Sequence, residues 1–135
     1  MNRWLATVML VVVGVSLIFA CSSPQPTAEE MAMMEALKNI QTNVQTNVSY
    51  EQYGKLLDGA KQKLAVLKAS ASSNPCFLNA VTKSSQFYEI CKDAWRKKDT
   101  ATDEITRSDM EMTLNLTFGF ASVSLARAQE CLKAD

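Results

Sequence analysis

FLNAVTKSSQFYEICKDAW, residues 77–95, is the stretch whose reading decides the fold. Phe77, Val81, Ser84, Tyr88, Cys91 and Trp95 recur in it at steps of four and three. A helix turning once every 3.6 residues brings such a set onto one face, whereas a strand would demand alternation at every second position. The flanks agree. Asn74-Pro75 supplies a capping side chain and then proline at the first helical position, where its missing N–H costs nothing. At the other end Trp95-Arg96-Lys97-Lys98 sets cations against the negative end of the helix dipole.

The same steps recur outward in both directions. Met33, Leu37, Ile40 and Val44 form one stripe, and Tyr53, Leu57, Ala60, Leu64 and Leu67 a second. Met110, Leu114, Phe118, Ala121, Leu125, Ala128 and Leu132 form the last. Thr27 with Glu30, and Ser49 with Gln52, have the spacing of capping boxes. Asp103-Glu104 puts anions where a final helix would begin, with Arg107 spaced to pair with them. Residues 28–135 are therefore expected to be all-α: four helices of about twenty to thirty residues in an up-down-up-down four-helix bundle with shallow crossings. The repeat QTNVQTNV, 41–48, is rich in weak helix formers and reads as the fraying end of the first helix. Phe87, Ile90 and Ala94 add a second apolar strip to the third helix, which we expect to be buried. In the fourth, Phe118 and Phe120 flank Gly119, where glycine permits a close helix approach or a bend.

Before the bundle the composition changes. Residues 1–20, MNRWLATVMLVVVGVSLIFA, hold one charge, Arg3, and all fourteen acidic residues follow Cys21. A basic start, an apolar run and a polar sequel make a secretory signal. The run from Trp4 to Ala20 would reach roughly 25 Å as a helix, the short limit for a span of about 30 Å. No Lys/Arg cluster follows it to halt transfer.

Leu17-Ile18-Phe19-Ala20-Cys21 resembles the lipobox of bacterial lipoproteins, with Phe19 standing where that pattern usually has Ala or Ser. The resemblance covers the first 21 residues. It implies that the Cys21 thiol is diacylglycerated, that residues 1–20 are removed, and that the new amine receives a palmitate-type acyl chain. More than one acyl chain is what stable attachment to a membrane takes. Ser22 implies outer-membrane sorting by the same family's rule. Ser22-Ser23-Pro24-Gln25-Pro26-Thr27 has two prolines and no large apolar side chain, so residues 21–27 read as a lipidated cysteine with an extended tether.

Charge and composition exclude several classes. Without Arg3 the fourteen basic residues become thirteen against fourteen acidic ones, a net of −1. So neutral a chain lacks the long-range field that draws in nucleic acid. It has no histidine, which removes Ser-His-Asp and Cys-His catalysis and His-ligated metal or haem. Four glycines form no phosphate loop.

With Cys21 acylated, an exported chain keeps Cys76, Cys91 and Cys131, two of which should pair. Cys76 and Cys91 lie fifteen residues apart on one helix. That is roughly 22 Å, against the 7 Å or so a disulfide spans. A fold-back around residue 100 sets Cys76 level with Leu125 and Cys91 with Asp109. Cys131 is then about 9 Å from the level of Cys76 and about 33 Å from that of Cys91. The expected disulfide is Cys76–Cys131, closed by a small bend at the helix start, with Cys91 left as a free buried thiol.

Met31, Met33, Met34, Met110 and Met112 are soft donors of the kind that suit Cu(I). In an up-down-up-down bundle, however, their two groups fall at opposite ends. Asp99, Asp103, Glu104, Asp109 and Glu111 concentrate carboxylates without a Ca²⁺-loop pattern. No catalytic residue, metal ligand or cofactor is assigned. The expectation is a non-catalytic, lipid-anchored helical protein of the bacterial cell envelope, facing the periplasm and supporting an assembly through a protein partner. The alternative is a carrier of a small ligand or Cu(I) within the bundle.

Overall fold

A computed structural model of the chain describes residues 25–71 and 73–134. The signal segment 1–20, Cys21 and the tether as far as residue 24 lie outside the described residues. From Thr27 onward the chain forms α1 (Ala28–Gln45), α2 (Tyr50–Ala69), α3 (Pro75–Thr100) and α4 (Glu104–Cys131), with no strand among the described residues.

Each helix begins where a side chain takes up an orphan N–H. Thr27 Oγ1 accepts from the Glu30 amide at 3.2 Å, while the Glu30 carboxylate accepts from the Thr27 amide at 2.9 Å. Ser49 and Gln52 repeat the exchange at α2. Asn74 Oδ1 accepts from Phe77 N ahead of Pro75, and Asp103 Oδ1 from Thr106 N. The repeat at 41–48 is where α1 stops. Asn47 takes the left-handed conformation at φ 61°, and the amide of Val48 donates back to the Asn43 carbonyl at 3.1 Å. Val48 tucks into the core behind it, a Schellman-type close. That stop leaves α1 at 18 residues, short of the expected twenty.

Neighbouring helices run antiparallel in up-down-up-down order. Tyr53 OH donates to the Tyr88 carbonyl at 2.6 Å, joining the start of α2 to the later part of α3. Ser84 Oγ donates to the Ala121 carbonyl at 3.0 Å between α3 and α4, and Gln41 Nε2 to Ser122 Oγ at 3.1 Å between α1 and α4. All four stripes turn inward. Met33, Leu37, Ile40, Tyr53, Leu57, Leu67, Phe77, Val81, Tyr88, Cys91 and Leu125 are almost wholly buried, and Val44, Trp95, Met110, Phe118 and Leu132 pack around them as partly buried side chains.

Three sequence expectations need correction. Cys76 is level with Cys131 rather than Leu125, and Cys91 touches Thr117 rather than lying level with Asp109. The residues 101–103 carry the fold-back past residue 100, and every residue by which a turn moves shifts the register by two. The second strip of α3 is not wholly covered: Ala94 is buried and Phe87 partly so, but Ile90 is 46% exposed. Of the two roles expected for Gly119, the close approach is not made among the described residues, since a Cβ built there would meet nothing within 4 Å.

Candidate functional site

One pole of the bundle gathers the starts of α1 and α3 with the ends of α2 and α4. Glu30 is buried there, 4% exposed, and its two oxygens serve two helices. One closes the cap of α1, and the other accepts from the backbone amide of Asn74 at 2.8 Å. Asn74 Nδ2 donates in turn to the Cys131 carbonyl at 3.2 Å. Cys76 and Cys131 lie beside this network at disulfide distance, with Cα atoms 5.7 Å apart across 55 residues of sequence. Sequence reading found the Thr27–Glu30 box but missed the reach from Glu30 to Asn74, because nothing local signals a contact spanning 44 residues.

Cys91 occupies the interior between α3 and α4, fully buried, with its sulfur 3.0 Å from Thr117 Oγ1. Burial pushes its thiol up to about 11, which the Thr117 hydrogen bond only partly opposes. Burial likewise raises the phenols of Tyr53 and Tyr88. A protonated, enclosed thiol is a poor nucleophile and a poor metal ligand. Tyr53, Trp95, Phe118 and Tyr88 pack ring against ring beside it, at centroid distances of 5.7 to 6.4 Å. The site is a packed core.

The soft donors and carboxylates are dispersed. Met33 and Met34 are buried, Met31 is exposed near the start of α1, and Met110 and Met112 lie near the start of α4, at the opposite pole. Asp103 caps α4, and hydrogen bonds from Thr106 hold its carboxyl below the usual range. Glu104 pairs with Arg107 at 3.0 Å. Among the described residues no three Cys, Asp or Glu side chains gather closely enough to hold a metal ion. The grooves are shallow and open. The one between α2 and α3, about 300 Å³, runs past Leu64, Lys68 and Ser85 and is crossed by the Lys61–Glu89 ion pair at 2.8 Å.

The outer face of α4 is different in kind. Ile105, Met112, Leu116, Phe120 and Val123 are 53–76% exposed, and their spacing puts them on one side of the helix. Phe120 stacks on Phe87 of α3 at 5.5 Å, and Ile90 widens the stripe. The fourth helix is thus apolar on two faces, one toward the core and one outward. The outward stripe lay in the sequence at 105, 112, 116, 120 and 123, masked by the stronger core stripe interleaved with it.

No protein-family model, no curated protein and no solved structure matches this chain. Among the described residues no helix is long and apolar enough to cross a membrane.

Proposed function

We propose that the protein is a non-catalytic helical module of the bacterial cell envelope, anchored by lipid on Cys21 and facing the periplasm, with the outer membrane favoured. It supports an assembly by offering the α3–α4 face to protein. The observation that carries this reading is the outward apolar stripe of α4 on a bundle whose interior is filled with its own side chains. Surface patches of that size on a small chain mark interaction sites. The tether joins the lipid anchor to the pole where Thr27 begins α1, with Cys76 and Cys131 oxidised beside it. The hairpin of α3 and α4, at 26 and 28 residues, reaches roughly 40 Å away from it.

Two measurements test the proposal. The intact mass of membrane-extracted protein should lack residues 1–20 and carry a triacyl increment, with one thiol alkylatable in denaturant before reduction. A full-length chain without acyl mass overturns the anchor. Separately, Leu116→Glu with Phe120→Glu should leave helicity unchanged and abolish the complexes captured by mild crosslinking in cells. Retention of those complexes overturns the assignment of the face.

A further inference from the structure

We infer that the outer face of α4 is a homodimer interface, in which the α4 helices of two copies lie antiparallel about a two-fold axis passing near Thr117 and Phe118. The inference rests on the reading of this face as a protein-binding surface and names its occupant.

Three observations lead to a second copy. The first is Gly119. It sits in the middle of the outward stripe, exposed, in the interior of a 28-residue helix. Glycine weakens a helix interior relative to alanine. Among the described residues nothing crowds the missing side chain, because a Cβ there would meet no atom within 4 Å. The notch therefore opens outward, bordered by Leu116, Phe120 and Val123. An antiparallel copy centred near residues 117 and 118 drops its Leu116 into the notch and receives the first copy's Leu116 in its own. Met112 then faces the partner copy's Val123, and each Phe120 lies across the axis. One contact made twice is what a two-fold interface requires.

Charge is the second. The stripe carries Asp109 at one end, and at the other Lys83 and Arg127 flank Val123, with Glu130 paired to Arg127. Parallel copies would oppose like charges. Antiparallel copies set Asp109 of each against Arg127 of the other. Arg127 is within reach of this pairing, since its ion pair with Glu130 is solvent-exposed and weak.

The third is extent. Met112, Leu116, Phe120 and Val123, the part of the stripe that this axis mirrors, span about 17 Å of helix and, with Ile90, expose on the order of several hundred Å² of apolar surface. Doubled across the axis, this approaches the roughly 1,000 Å² that a specific interface clears. Heptad-like steps of seven, four, four and three are also those by which two helices interlock side by side.

The test uses the full chain produced in cells, with the photo-crosslinker p-benzoylphenylalanine in place of Leu116. Irradiation should give an adduct of twice the chain's mass whose peptides derive from this sequence alone, joined through residues 116–123. The same probe at Lys63, on the outer side of α2, should give no dimer. Gly119→Leu fills the notch, and its Cβ meets no neighbouring described element within 4 Å, so helicity should hold or rise while the Leu116 adduct is lost. An adduct only with a different protein overturns self-pairing but leaves the docking face standing. An adduct only with lipid, or none at all, overturns both. A Gly119→Leu chain that still dimerises through residue 116 overturns the two-fold geometry.

Discussion

At Cys91 a single atom's surroundings decide its chemistry. The thiol ordinarily titrates near 9.0, and in the folded chain it is held up to about 11 by burial. Below the lower value both states keep the proton and folding is unaffected. As pH rises from about 9 through 11 the unfolded chain sheds its proton first, so stability falls across that window. Tyr53 and Tyr88, raised by burial from an ordinary 10.0, extend the decline in the same direction. Denaturant midpoints measured from pH 7 to 11 should be flat at first and then descend, and Cys91→Ala should soften the first part of the descent. The same burial predicts that Cys91 resists iodoacetamide in the native chain at pH 8 and reacts within minutes in denaturant. Glycines make a second contrast at this scale. A Cβ at Gly59 meets nothing within 4 Å, so Gly59→Ala should raise unfolding free energy by about 0.5–1 kcal/mol. At Gly54 it would come within 3.3 Å of Lys92 Nζ, so Gly54→Ala should gain less.

At the scale of the element, the side chains that close the helix starts are not equal. Asp103 is exposed and serves one helix end, so Asp103→Ala should cost about 1 kcal/mol in a thermal melt. Glu30 is buried and its carboxylate accepts from the backbone of Thr27 and of Asn74, which ties α1 to α3. Removing a charged acceptor from buried donors is dearer. Glu30→Ala should cost about 2–3 kcal/mol, and Glu30→Gln, which keeps an acceptor on one side only, an intermediate amount. Helix starts were legible in the sequence because a cap acts over three residues. The double duty of Glu30 was not, because its second partner arrives through folding.

For the whole molecule, the Cys76–Cys131 contact links the start of α3 to the end of α4, which meet at the open end of the α3–α4 hairpin. A bridge closing 55 residues restricts the unfolded chain by about 4 kcal/mol on the loop-entropy model. The double variant Cys76→Ser with Cys131→Ser should lose up to that amount in equilibrium denaturation. The bundle should survive the loss, since the burial of Leu37, Leu57, Val81 and Leu125 comes from packing between helices. Leu57→Ala, by contrast, opens a cavity at a site 1% exposed and should cost 2–5 kcal/mol whether or not the bridge is present.

The all-α class, the four core stripes and each capped helix start were determined by the sequence alone. They follow from spacings of three and four and from side chains acting within one turn, which any copy of the sequence carries before it folds. The tertiary structure decided the rest. It moved the α3–α4 fold-back beyond residue 100, which brought Cys131 level with Cys76 and Thr117 against Cys91. It also separated the two interleaved stripes of α4, burying Leu114, Ala121 and Leu125 while leaving Leu116, Phe120 and Val123 in solvent. Apolar character is a property of a side chain, but which apolar face is covered depends on where the neighbouring helices lie. On α4 the neighbours supply cover for only one of the two.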